Sequence, residues 1–125
     1  MQPTFKKNAQ RRHQILSGTM KAADIVDKMY EKDWFSQWLG INILDIEEGK
    51  ARLSMTIRKD MLNGFGIAHG GVTFSFADSA LAFASNSQGK HAVSIETSIS
   101  HTESLREGDE IFATAKEENL SKRIG

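Results

Sequence analysis

The hydrophobic period of the chain changes several times, and each change marks an element. From Ala22 onward the apolar positions Ile25, Val26, Met29, Tyr30 and Trp34 recur at steps of three and four. One apolar stripe at that spacing predicts a helix laid on a core. Ile41 to Ile46 then leads into the turn-like Glu47-Glu48-Gly49-Lys50, after which Ala51, Leu53, Met55 and Ile57 alternate with Arg52, Ser54, Thr56 and Arg58. This predicts an antiparallel hairpin with one wet face. Met61 to Gly71 is rich in glycine, holds Asn63, carries no period and reads as a loop. From about Gly71 to Ser87 the chain is Val, Phe, Leu, Ala and Ser with a single charge, Asp78, a composition that predicts a helix enclosed on most sides. Beyond Gly89, Val93, Ile95, Thr97 and Ile99 alternate with Ser94, Glu96, Ser98 and Ser100. Arg106-Glu107-Gly108-Asp109 turns the chain, and Ile111, Ala113 and Ala115 alternate again, so two further strands are predicted. An antiparallel sheet can satisfy its one apolar face by curling round the single apolar helix. The predicted class is therefore α+β in two layers.

Composition narrows this picture. With 125 residues, 39% of them hydrophobic and 26% charged, the chain suits one compact domain and leaves no room for a second catalytic one. Sixteen basic residues balance sixteen acidic ones, so net electrostatics give no reason to expect nucleic acid or an anionic membrane as partner. Cysteine is absent, which excludes disulfide frameworks, thiolate nucleophiles and Cys-ligated metals and fits a reducing, cytoplasmic setting. No run approaches the ~20 apolar residues of a membrane span, and the most apolar stretch, Val72 to Ala84, is interrupted by Asp78. The first residues carry Lys6, Lys7, Arg11 and Arg12 without an acid. That superficially suits a transit peptide, but the division adopted is a flexible extension over 1–20 followed by one domain over 21–125, with Met20 a second candidate start.

Asp78 is the residue that most needs a reason, because an ionised carboxylate in an apolar helix is costly unless paired, hydrogen-bonded or wet. Two readings stay open: a structural carboxylate at a wet edge, or a catalytic acid. At ~100° per residue, Val72, Phe76, Ser79, Ala80 and Phe83 share one helix face, and Gly71, Ser75, Asp78 and Ala82 share another. The second face is small side chains around one acid, a surface a second helix could approach closely or one that packs on the protein's own sheet. Immediately before the helix, His69-Gly70-Gly71 places unpaired backbone N–H groups at a positive helix end, where a developing oxyanion would be stabilised. Such a pair of glycines also marks an ordinary tight turn. His69 is read either as a base or, preferably, as a hydrogen-bonded loop anchor. His91 and His101 show no ligand spacing with it, so no metal is proposed.

At Leu62-Asn63-Gly64, His69-Gly70-Gly71, Phe74, Ala77-Asp78 and Asn86-Ser87-Gln88-Gly89 the chain resembles the hotdog-fold acyl-CoA thioesterases of the phenylacetate-degradation, PaaI-like type. The resemblance covers roughly Asp24 to Gly125, and the spaced combination is far more specific than any piece. It implies a hotdog fold in which an antiparallel sheet wraps a central helix, homodimers paired into a homotetramer (a dimer of dimers) with shared active sites, and hydrolysis of acyl-CoA thioesters, aryl-acetyl or medium-chain. It also implies roles: Asp78 as general base or nucleophile, Gly70 as the backbone donor polarising the thioester carbonyl, and Asn63 as the residue placing water or substrate. His69 joins the catalytic set, and Gly71 and Phe74 contact substrate. The family pattern further implies a hairpin and two more strands after the strand that follows Asp109. A domain without them is expected to leave the central helix partly uncovered and to be poorly stable.

Thioester hydrolysis needs an activated nucleophile and a home for the tetrahedral oxyanion, which an acid and a glycine-led helix N-terminus supply. No cofactor is called for, since CoA is part of the substrate. Burial of Asp78 among Phe and Ala would strengthen it as a base. The rival enzyme reading is a hotdog acyl-thioester dehydratase or hydratase, and the rival non-enzyme reading is an acyl-CoA binding module.

Overall fold

The structure, a computed structural model, describes residues 21–125. The extension expected over 1–20 lies outside the described residues. Helices α1 (Ala22–Glu31) and α2 (Trp34–Leu39) lead into strands β1 (Asn42–Glu47) and β2 (Lys50–Thr56). A 3-10 turn (Lys59–Met61), the long helix α3 (Gly70–Asn86) and strand β3 (Glu110–Lys116) complete the order. Among the described residues the sheet is antiparallel with strand order β1-β2-β3, and α3 packs across β2 and β3 as the central helix it wraps. No helix among the described residues is long and apolar enough to cross a membrane.

The hairpin follows from its pattern. Ala51, Leu53, Met55 and Ile57 are buried in one core with Phe76, Ala80 and Phe83 of α3, and a two-residue turn at Glu48-Gly49 joins the strands, with Gly49 at φ +72° where a side chain would be strained. On β1 the phase switches: Ile41 is buried and Ile43 half-buried, yet Ile46 is also buried. The register shift between Ile43 and Asp45 explains it, because Leu44 is an extra residue that turns the following side chains over. Ser54, expected on the wet face, is buried instead.

The first apolar stripe is not one helix. After Glu31 the chain breaks, and Asp33 caps a new helix, accepting from the Ser36 N–H at 2.9 Å and the Ser36 hydroxyl at 2.6 Å. Trp34 therefore leaves the stripe and is 75% exposed. An Asp that can bond the third following N–H competes successfully with helix continuation. Tyr30, still on the stripe, donates its hydroxyl to Ile41 O at 2.8 Å and meets Phe83 edge-on at 6.2 Å. Burial, and secondarily the Asp33 charge, push the Tyr30 pKa up and keep that hydroxyl a donor.

Helix α3 has two faces, divided as its projection predicts. Phe76, Ser79, Ala80 and Phe83 are buried, whereas Gly71, Asp78 and Leu81 are exposed and Ser75 and Ala82 half-buried. The expectation of enclosure on most sides is thus corrected: Asp78 lies on an open face, not among buried Phe and Ala. Its buried polar groups are satisfied, with Ser36 and Ser79 hydroxyls 2.8 Å apart. The corner at its C-terminus explains the Asn86-Ser87-Gln88-Gly89 run. Asn86 donates to Ala82 O and Ala92 O and accepts from the Ala92 N–H; Ser87 Oγ accepts from the Gly49 N–H at 2.8 Å; Gln88 Nε2 donates to Glu117 Oε2 at 2.7 Å. Gly89, at φ +84°, turns the chain away.

The strand predicted across Val93–Ile99 does not form among the described residues. The segment 91–105 runs extended from the C-terminal end of α3 back to its N-terminal end, with Val93 91% and Ile95 83% exposed. Alternation is one signal of a strand, but a strand also needs a neighbour to hydrogen-bond, and none of the described residues supplies one. It is tied at its ends, by Asn86 at Ala92 and by the Ala68 N–H donating to Leu105 O at 2.8 Å.

Candidate active site

The loop between the 3-10 turn and α3 delivers the candidate residues. Leu62 and Ala68 form an isolated antiparallel bridge, and the Asn63 N–H donates to Ile67 O at 2.8 Å. The Asn63 side chain completes the turn, Oδ1 accepting from the Phe65 N–H at 2.9 Å and the Ile67 N–H at 3.3 Å. Its Nδ2 remains the atom able to serve a ligand. His69 closes the loop: its N–H donates to Met61 O at 2.8 Å, and its ring caps α3, Nδ1 accepting from the Gly71 N–H at 3.0 Å. An accepting Nδ1 places the proton of the neutral ring on Nε2. In this geometry His69 anchors the loop.

The Gly70 N–H donates to no acceptor among the described residues, and it stands at the positive end of a helix. It opens on a polar cleft of about 350 Å³ lined by Asn63, Gly70, Thr73, His101, Glu103 and Leu105, among others. A second, more apolar cleft of about 420 Å³ lies between α3 and β3, against Phe76, Ala80, Ile111 and Phe112. Thr73 lines both. Gly71 is exposed at the helix start, and Phe74, half-buried, lines neither cleft.

Asp78 lines neither cleft and is exposed. The eight-residue step from Gly70 along α3 separates the two by ~12 Å at the usual helical rise. The fold therefore gathers Asn63, His69, Gly70 and Gly71 and leaves Asp78 apart. Sequence reasoning missed Thr73 and set His101 aside. The one signal was phase: His101 continues the odd-numbered series Val93, Ile95, Thr97, Ile99 and so falls on the side of that segment expected to face the helix. Among the described residues no group of three His, Cys, Asp or Glu side chains is gathered closely enough to hold a metal ion.

Residues 65–125 match the sequence profile of the thioesterase superfamily. The acyl-coenzyme A thioesterase PaaI of Escherichia coli is 41% identical over 105 residues, covering 84% of this chain and 75% of that protein. The solved structure of the E. coli PaaI protein, from the phenylacetic acid degradation operon, superposes with a TM-score of 0.79 at 40% identity, over 81% of this chain and 73% of the other. An esterase candidate of Archaeoglobus fulgidus is 42% identical over 99 residues, 79% of this chain. The chain spans 64% of that relative's length. A Streptococcus mutans protein solved bound to acetyl CoA is 26% identical, with a TM-score of 0.64 over 66% of each chain.

Proposed function

Because the chain belongs to the hotdog-fold thioesterase superfamily, as a relative of the PaaI proteins, we propose that it hydrolyses acyl-CoA thioesters to the free acid and CoA. The observation that carries this reading is the division of labour along α3: an N–H without an intramolecular acceptor at Gly70, in a polar cleft with Asn63, and a lone carboxylate at Asp78 on the open face. The thioester oxygen accepts from Gly70. An Asp78 carboxylate, supplied by a second copy of the chain, takes a proton from water as the water oxygen bonds to the thioester carbon. The oxyanion rests on the Gly70 N–H until the C–S bond breaks and the CoA sulfur leaves with the proton. Direct attack by Asp78, giving a mixed anhydride that water then cleaves, uses the same placement. Asn63 Nδ2 positions the water or the substrate.

The separation of Gly70 from Asp78 is also the argument for shared sites. Two α3 helices packed antiparallel across a two-fold axis bring the start of each to the middle of the other, and small residues on the Gly71–Ser75–Asp78–Ala82 face permit close approach. A homodimer is the assembly this reading requires, and its doubling to a tetramer is proposed on the kinship with PaaI alone. Aryl-acetyl or medium-chain acyl groups are the proposed acids, on the strength of the kinship with PaaI. A panel of acyl-CoA thioesters read by free-thiol release tests the activity: release supports hydrolysis, a change in double-bond absorbance without thiol points to a hydratase, and binding with neither points to a carrier.

A further inference from the structure

His101 and Thr73, separated by 28 residues in sequence, meet beside Gly70, with Thr73 Oγ1 2.9 Å from His101 Nε2 and 3.0 Å from Gly70 O. The direction of this contact follows from chemistry. A carbonyl oxygen only accepts, so the single hydroxyl hydrogen of Thr73 goes to Gly70 O. Thr73 Oγ1 then accepts from His101, which carries its proton on Nε2. The imidazole also stands against the glycine itself: a Cβ on Gly70 would lie 3.1 Å from His101 Cε1. A side chain at Gly70 would press on that ring by a few tenths of an ångström, so close fit rather than backbone strain favours glycine here.

We propose that Thr73 and His101 are positioning residues for the reaction, fixing the Gly70 backbone at the wall of the polar cleft. The proposal rests on the thioesterase reading of that cleft. Glycine at the first turn of a helix is the least constrained residue at the least constrained place, whereas an oxyanion donor works only if its direction is set before the substrate arrives. Two peptide planes meet at Gly70 Cα. His69 O, on the first, accepts from the Val72 N–H at 2.9 Å; Gly70 O, on the second, is held by Thr73. His101 completes the hold and, in the same contact, fastens the extended segment 91–105 to the start of α3.

The test uses the full chain with Thr73→Val, Thr73→Ser, His101→Phe and His101→Gln, each checked for folding by circular dichroism and melting, with Thr73→Ala in reserve should the valine variant not fold. On the best acyl-CoA substrate, Thr73→Val and His101→Phe should lower kcat by about tenfold or more with KM changed by less than about threefold, since the donor's direction is lost while Asn63 and the rest of the cleft wall stay in place. Thr73→Ser and His101→Gln, which keep a hydroxyl and a side-chain N–H, should restore kcat to within about threefold of wild type. Loss confined to KM, or no rescue by Ser and Gln, overturns the proposal. Nitrogen-15 NMR of the imidazoles reads the contact without substrate: the His101 Nε2–H signal should exchange slowly with water, and in Thr73→Val it should move and exchange faster, whereas a signal indifferent to Thr73 overturns the contact. A wild type that releases no thiol from any acyl-CoA defeats the thioesterase reading and the pair's catalytic role with it. A turning-over wild type matched by Thr73→Val and His101→Phe defeats the pair alone.

Discussion

Gly70 and Asp78 ride on one helix, ~12 Å apart along its axis, with Gly70 lining the polar cleft and Asp78 exposed beyond it. If each site draws Gly70 from one chain and Asp78 from another, inactive variants should complement. Asp78→Asn and Gly70→Val, co-expressed, yield heterodimers with one intact site and one doubly damaged site. Random pairing makes about half the dimers mixed, so activity per subunit should return to roughly a quarter of wild type. The valine displaces His101 as well, but only within the chain that carries it, so the arithmetic holds. Zero recovery with heterodimers demonstrated would place both residues in one subunit's site or remove one from catalysis.

Asp78→Asn should keep the fold, with a circular dichroism spectrum and melt like those of wild type, because the amide is nearly isosteric with the carboxylate and Asp78 is exposed within its own chain. Its kcat should fall by ~10²–10⁴, the range for removing a general base. Turnover within a few-fold of wild type would eliminate Asp78 as base or nucleophile.

His69→Asn and His69→Ala separate cap from base. Asparagine is a good N-cap and can accept from the Gly71 N–H in place of Nδ1, whereas alanine cannot. The alanine variant should lose about 1 kcal/mol of stability and the asparagine variant a few tenths at most. Thiol release should follow the same order; an asparagine variant that is stable yet as inactive as alanine would assign His69 to the chemistry.

Asn86→Ala removes three hydrogen bonds at a buried position, two of them to Ala92. The groups left unsatisfied should cost about 1–3 kcal/mol, read as a lower melting temperature, and amide exchange at Ala92 should accelerate more than exchange in β2. Uniform acceleration across both would show that the corner has no local holding role.

The parts of the fold legible in sequence are those governed by period. Ala51, Leu53, Met55 and Ile57 announce β2 because alternation and burial coincide there, and the two faces of α3 follow from one charge in an apolar run. What escaped depends on partners that period does not encode. Asp33 ends α1 through a local side-chain bond that outweighs a continuing apolar stripe. Leu44 inverts the phase of β1 by one inserted residue. Val93 to Ile99 alternate without a neighbouring strand among the described residues. Of the site, Asn63, His69 and Gly70 were legible because they adjoin one helix start, while the Thr73–His101 contact joins positions whose proximity only the tertiary path creates.

The anchoring of α3 at Asn86 and Ser87 makes the helix a spacer of set length between that corner and the cleft. Inserting or deleting one residue within it would swing Gly70 ~100° about the axis and shift it ~1.5 Å, taking the donor out of the cleft and turning the buried face of the helix off the core with it. The tip of the preceding loop is held to a set length as well, since the Asn63 side chain accepts from the N–H groups of both Phe65 and Ile67. Length variation between this chain and its relatives should accordingly be absent from Asn63 through Gly89, a pattern of gaps rather than of residues.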